Sequence, residues 1–234
     1  MPDHLTRKEL KQDNVALGVE HSFAYFTAHR QRIVRIGGGV LALIVVIAGA
    51  IYYRNYEHDQ RQQQLADAIT LQGAVVGAPS PTGGPSFPTE AAKKDAVTRA
   101  FAKLVAEHSG SSEAYIAEYS LGAMDTEAGK MADARRKFQD VADHADANYA
   151  SLAKLSLAQL DFGENRIAEA QAILKDLADH PTDLVSKDQA TITLARGLAP
   201  TKPEEARKLL LPIASKASEI SQVAVTALTE LPQK

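Results

Sequence analysis

The sequence predicts an all-α protein in which one N-terminal transmembrane helix is followed by an α-solenoid of helix pairs. Two patterns predict this fold: an uncharged run of eighteen residues at 36–53, and a motif that returns every thirty-six residues in the C-terminal half. A third observation is the composition, which is rich in Ala, lacks Trp and has only 6% aromatic residues. Such a composition favours helices over a β-sandwich.

The uncharged run is long enough to cross a bilayer. At about 1.5 Å per helical residue it extends ~27 Å, close to the ~30 Å hydrocarbon core. Arg35 can snorkel to the headgroups, so we predict a transmembrane helix over residues 33–53. Tyrosines at its far end would lie in the interface. The predicted membrane-anchor residues are Arg32, Arg35, Ile36, Tyr52, Tyr53 and Tyr56.

The charges beside the span predict its orientation. Arg30, Arg32 and Arg35 precede it, whereas acidic residues dilute the basic ones that follow. The positive-inside rule therefore puts the N-terminus in the cytoplasm and the C-terminal domain on the other side. A cleaved signal peptide is the alternative, because Ala48-Gly49-Ala50 looks like a cleavage site. The segment before the span, about 35 residues long, is unlike a compact basic signal region.

The flanking segments have distinct compositions. The N-terminal tail carries apolar residues at helical spacing (Val15, Val19, Phe23 and Phe26), which predicts an amphipathic helix. This helix could lie in the cytoplasmic interface or equally dock on a partner's membrane-proximal surface, and a loosely ordered tail is the other alternative. The stretch after the span has no helix breaker, and the next segment is rich in Pro and Gly. The predicted organisation is a cytoplasmic tail at 1–32, the transmembrane helix at 33–53, a juxtamembrane helix at 54–76, a loop at 77–88 and a repeat domain at 89–234.

The repeat is visible without gaps. Residues 131–144 align with 167–180 and with 203–216, and residues 104–108 echo the same helix end thirty-six residues earlier. In each unit a small Ala is followed by a large apolar residue four positions later. A period of this length built from two helices indicates a helical solenoid. The aligned positions are Ala134, Ala170 and Ala206, then Phe138, Leu174 and Leu210, then Val141, Leu177 and Ile213.

Each aligned segment is predicted to be the second helix of a pair that opens after a turn, at Gly129, Asn165 and Pro200-Thr201. Pro212 should kink or shorten the last of them. The first helices are predicted at about 112–127, 148–162 and 182–198, and 218–231 should cap the array. These first helices contribute Leu121, Gly122, Leu157, Ala158 and Leu194 to the predicted core.

The pattern of Leu121-Gly122, Ala134 and Phe138, with Pro181 after the following unit, resembles a tetratricopeptide repeat array. The whole layout is similar to that of the bacterial ancillary subunit of the Sec translocon. Two short segments also resemble this family: Phe23-Ala-Tyr-Phe26 before the span and Tyr52-Tyr53-Arg54 where the chain leaves the membrane. The resemblance implies a non-enzymatic, single-pass inner-membrane protein. Its repeat domain would be periplasmic, and its partners would be translocon subunits and periplasmic chaperones.

The sequence offers little chemistry. The chain has no cysteine, which excludes disulfides, thiolate catalysis and Cys-based metal sites, and its net charge of −3 gives no reason to expect nucleic-acid binding. His108, His144 and His180 recur at the repeat period, too far apart in a solenoid to share one metal ion, so we expect them to cap helix ends. We predict no catalytic residue, metal or cofactor.

Binding is the function that remains. Solenoids hold peptides or helices against a face lined by the first helix of each pair. The expected partners are membrane lipid, other membrane-protein subunits and periplasmic proteins or peptides. Two alternatives stay open: an accessory subunit of another inner-membrane complex, respiratory or secretory, and a recruiting partner of an enzyme. The predicted groove residues, each alternatively a core residue, are Tyr115, Tyr119, Leu155, Gln159 and Phe162.

Overall fold

The computed structural model describes residues 30–77, 83–216 and 218–232, and this part of the chain is almost entirely helical. The predicted all-α class is confirmed. The described residues divide into two units, one that ends at Asp59 and one that begins at Gln60. The helices are α1 (Arg30–Gln72), α2 (Glu90–Glu107), α3 (Ser112–Glu127), α4 (Met131–His144), α5 (Ala147–Gly163), α6 (Ile167–Asp179), α7 (Lys187–Leu198), α8 (Pro203–Ala214) and α9 (Glu219–Thr229).

Helix α1 contains the candidate membrane span. Within it, Gly38–Gln72 includes a window that is apolar enough to cross a bilayer and has none of its residues buried. The predicted anchor residues Arg35, Tyr52, Tyr53 and Tyr56 are all exposed. A helix of this length and apolar character, unburied over that window, fits a single-pass membrane protein. The predicted interfacial helix at 15–26 lies outside the described residues, as do the side chains of Arg32 and Ile36.

Helix α1 ends four residues earlier than the predicted juxtamembrane helix. Its chain leaves the helix at Gly73, after which Val75–Val76 (β1) pairs in parallel with Ser86–Phe87 (β2). The Val75 amide donates to the Pro85 carbonyl (N···O 3.3 Å). β-branched valines fit such an extended pair better than another helical turn, which accounts for the early end.

The paired helices follow the predicted repeat. Helices α4, α6 and α8 begin at residues 131, 167 and 203, thirty-six residues apart. The turns before α4 and α6 have left-handed backbone at Gly129 (φ 75°) and Asn165 (φ 62°), which Gly and Asn tolerate best. Pro203 occupies the first turn of α8, where its missing N–H costs nothing. Pro212 lies inside α8, which is two residues shorter than α4.

The repeated positions form the core, as predicted. Ala134, Ala170 and Ala206 are fully buried, and each allows a neighbouring helix to approach closely. The large residues four positions later are buried as well, with Phe138 at 2% exposure and its two equivalents at 0%. The other predicted core residues Leu121, Gly122, Leu157, Ala158 and Leu194 are also buried.

The first unit corrects the predicted register. The buried residues of α2 are Val97, Phe101 and Leu104, which precede Ala134, Phe138 and Val141 by thirty-seven residues rather than thirty-six. Each residue advances the helix by about 100°. If α2 followed the thirty-six-residue period, its buried face would therefore point away from the neighbouring helices. His108 consequently falls at the C-cap of α2, one place beyond the position that His144 occupies in α4.

The end of α1 belongs to the repeat domain. Ala68 is fully buried in a cluster with Phe101 and Leu104 of α2 and with Ala117 of α3, and Leu65 and Leu71 pack against it. Arg61 adds an ion pair to the buried Glu113 in the first turn of α3 (Nε···Oε2 3.2 Å). Residues 60–72 therefore act as the first helix of the first pair, with α2 as its second.

Two other boundaries differ from expectation. Helix α7 begins at Lys187 rather than at 182, because the Ser186 side chain caps it by accepting from the Gln189 amide. The preceding loop is held by Thr182, whose hydroxyl lies 2.7 Å from that of the buried Ser151 on α5. Helix α9 covers the last core edge with Ala224 and Ala227, as a capping helix should.

Candidate partner-binding groove

A cavity of about 210 Å³ lies where α3, α4 and α5 meet. Apolar side chains line most of it. The hydroxyl of Tyr119 on α3 lies 3.3 Å from the hydroxyl of Ser156 on α5, which is the first helix of the following pair. Concave, largely apolar sites with a few polar groups are where proteins bind ligands and peptides. We call this cavity the groove; its lining residues are Tyr119, Ala123, Thr126, Phe138, Ser156, Gln159 and Leu160.

The groove lies within an aromatic cluster. The Tyr119 ring packs at 5.4 Å from Phe138 and at 6.3 Å from Tyr149, measured between centroids. Both distances suit aromatic pairs, which add about 0.5–1.5 kcal/mol beyond the area they bury. Burial, and secondarily the charge of Asp146, raises the pKa of the Tyr149 phenol, so this hydroxyl stays protonated. None of the residues that line the groove carries a charge, so its walls are neutral.

The five predicted groove residues fall in different places. Tyr119 and the exposed Gln159 line the groove together. Tyr115 lines a second cavity on another side of α3. Leu155 is 7% exposed and belongs to the core, and Phe162 packs over Gly197 of α7, where a Cβ would overlap its ring. These last two residues pack against the next unit, and Phe162 remains partly exposed.

The floor of the groove depends on Gly122. A Cβ on this residue would lie 2.8 Å from Cε1 of Phe138, closer than side chains tolerate. The absence of a side chain thus allows the Phe138 ring to lie flat against α3, beneath Tyr119. The sequence signal was the Leu121-Gly122 pair at the position of closest helix approach.

Replacing Gly122 by alanine should lower the free energy of unfolding by about 1–3 kcal/mol, because the buried Phe138 ring must move although Ala favours the helix. Gly163→Ala is the matched control. Gly163 ends α5 with open space around it, so this change should be neutral or stabilise by up to about 1 kcal/mol. Denaturant unfolding of the full chain in detergent, followed by circular dichroism, measures both; equal effects would contradict the contact.

A charge network fixes α4 against α5 at the edge of the groove. Asp161 is 3% exposed and accepts from Arg166 (Nη2···Oδ1 2.6 Å) and Arg135 (Nη1···Oδ1 2.8 Å). The same two guanidinium groups also contact Glu164. Thirty-six residues earlier, the equivalent Asp125 pairs with Lys137 (2.6 Å). No local sequence pattern indicates this network, because its partners come from three segments.

A second cavity, also of about 210 Å³, lies between the C-terminal ends of α2 and α4 and the start of α3. It is more polar than the groove, and Tyr115, Glu118, Asp140 and His144 line it. Desolvation first, and then the hydrogen bond and charge of Asp140, raise the pKa of Glu118 to about 7, against the opposing charges of Lys137 and Arg136.

The recurring histidines cap helix ends, as predicted, at two of three sites. The Nδ1 atoms of His144 and His180 lie 3.0 and 3.1 Å from the carbonyl oxygens of Asp140 and Asp176, one turn back. His108, displaced by the one-residue shift, has a buried Nε2 that no hydrogen bond satisfies. Among the residues that the structure describes, no three His, Cys, Asp or Glu side chains come together as a metal site.

These features define a helical repeat protein with a candidate membrane span and a largely apolar groove. The sequence matches the family described as "Tetratricopeptide repeat-like domain" over residues 29–148, just over half of the chain. The chain belongs to this family. No curated protein and no solved structure matches it.

Proposed function

We propose that this chain is a membrane-tethered interaction module, an ancillary subunit that links the protein-translocation machinery to periplasmic chaperones. The observation that carries the proposal is the extent of the family match, which covers both the candidate membrane helix and the first repeat units. Because the family's domain includes the candidate membrane helix as well as repeat units, we infer that the membrane helix and the repeats act together. Tetratricopeptide-like domains are in general interaction modules rather than catalysts.

The groove supports the binding part of this proposal. It combines the Tyr119 and Phe138 rings with the exposed amide of Gln159, which can bond to a peptide backbone. Aromatic residues in pockets dominate binding energy at interfaces. The groove is large enough for one apolar side chain of an extended segment. A translocating polypeptide or a chaperone loop offers such a segment.

The proposed location is the bacterial inner membrane, with residues 1–32 in the cytoplasm and the repeats in the periplasm. The arginines before the span support this orientation. A phosphatase fused after Lys234 should be active in cells, because this enzyme folds only after export. A fusion after Asp13 should be inactive, and the reverse pattern would contradict the topology.

Copurification in mild detergent tests the partners. Tagged full chain should recover translocon subunits and periplasmic chaperones in constant ratio, as identified by mass spectrometry. Gln159→Arg should reduce chaperone recovery at least about tenfold, because a charge in an apolar groove costs more than 1.4 kcal/mol. Lys175→Glu, on an exposed position of α6, is the control and should change nothing. Recovery of a different stoichiometric complex, respiratory or secretory, would overturn the proposal.

A further inference from the structure

We propose that the contact between Glu118 and Asp140 is a pH-sensitive element that regulates the groove. Glu118 lies on α3 and Asp140 on α4, and both carboxyl groups line the second cavity, where the charge of Asp140 acts on Glu118. Two carboxyl groups in one site tend to retain a proton, because two negative charges there repel each other. The inference rests on the proposed function of the groove, since it concerns the regulation of that site.

The position of the pair ties it to the groove. Glu118 is adjacent in sequence to Tyr119, and Asp140 follows Phe138 by two residues. The two rings, 5.4 Å apart, line the groove from the same two helices that the carboxyl pair joins. Any change in the separation of α3 and α4 therefore changes both contacts.

The surroundings make this proton labile near neutral pH. From α4, Asp140 opposes ionisation of Glu118, while Lys137 and Arg136 favour it. His144 also lines the cavity, with Nδ1 at 3.2 Å from the Asp140 carboxylate. The lining from α2 and the following turn, Val105, Ser109 and Gly110, has no charge. Glu118 thus holds its proton in mild acid and becomes negatively charged above neutrality, where Asp140 opposes its charge.

The direction of the effect follows from the two pKa values. Burial and Asp140 raise the pKa of Glu118 in the folded chain from 4.5 to about 7. Between these values the unfolded chain releases the proton and the folded chain keeps it. Stability therefore falls as the pH rises through this window and is constant on either side. Above pH 7 the repulsion loosens the contact between α3 and α4, and the groove opens.

A fluorescence titration tests the inference without any partner. The chain has no cysteine, so Gln159→Cys carries one bimane label at the groove, whose emission a nearby tyrosine ring quenches. In the full chain in detergent, emission should change between pH 5.5 and 8.5 with a midpoint near 7. Glu118→Gln should abolish this transition, and so should Asp140→Asn. Glu127→Gln, at an exposed position near the end of α3, should keep it.

Thermal unfolding provides a second readout. We expect Glu118→Gln to raise the midpoint temperature of unfolding at pH 8.5 by about 2–4 °C and to leave it unchanged at pH 4. The effect is modest because Glu118 is only half-buried and water screens its charge. An unaltered transition in both carboxyl variants, or no transition in the parent chain, would overturn the inference. Since the titration uses no partner, these outcomes are independent of whether translocon and chaperone subunits copurify.

Discussion

Replacing Phe138 by alanine should lower the free energy of unfolding by about 3–5 kcal/mol. The ring is 2% exposed, lies against the backbone of α3 at Gly122 and packs on Tyr119. Its removal would lose both the transfer free energy of the ring and the aromatic pair, and it would leave a cavity that the helices cannot close. Denaturant unfolding of the full chain in detergent measures the loss.

Two matched variants make this result interpretable. Phe138→Leu should cost less than about 1.5 kcal/mol, because leucine occupies the equivalent buried positions 174 and 210. Met131→Ala changes an exposed side chain on the same helix and should cost less than about 0.5 kcal/mol. A loss below about 1 kcal/mol for Phe138→Ala would mean that this ring does not join α3 to α4.

Replacing Asp161 by alanine should destabilise the chain by about 3 kcal/mol at neutral pH. Its carboxylate is buried and accepts hydrogen bonds from Arg135 and Arg166, so its loss leaves two neighbouring guanidinium groups that keep the more exposed Glu164 as a partner but lose the buried one. Asp161→Asn keeps the shape but removes the charge, and it should cause most of the same loss.

The control for this network is Glu164→Gln. Glu164 contacts the same two arginines, but its side chain is 38% exposed, so water can replace it and the cost should stay below about 1 kcal/mol. Chemical unfolding of all three variants at low and high salt separates the sites. If Asp161→Ala and Glu164→Gln cost the same, the buried carboxylate has no special role.

The repeat units were predictable because their signals are local. Ala134 and Phe138, with their equivalents, recur at a fixed spacing that needs no knowledge of distant contacts. The turns at Gly129 and Asn165 are visible as residues that tolerate a left-handed backbone. Helix bounds followed directly from these two signals. Helix α7 is the exception: its predicted start at 182 lies five residues before the observed start at Lys187, because the N-cap Ser186 sets this bound.

The first unit was harder to predict because its two helices are separated by the Pro/Gly-rich segment. Alignment on His108 gave a period of thirty-six, although the buried face of Phe101 and Leu104 follows thirty-seven. The role of Ala68 depends on tertiary packing, and the apolar residues around it are too few to distinguish a core helix from an exposed one.

The groove was predictable only in part, for a similar reason. First helices such as α5 carry apolar residues on several faces, and periodicity does not say which face meets the next unit. Leu155 turned toward the core, whereas Gln159, one turn later, lines the groove. The ion network at Asp161 and the Glu118–Asp140 contact pair residues whose proximity only the folded chain reveals.

Site-specific photo-crosslinking in intact membranes tests the central proposal most directly. A photoreactive amino acid at position 159, in the groove, should form cross-links to periplasmic chaperones or to segments of translocating polypeptides. The same group at position 175, on an exposed face of α6, should not. Identical adducts from both positions, or adducts from position 159 only to a complex unrelated to translocation, would contradict the account.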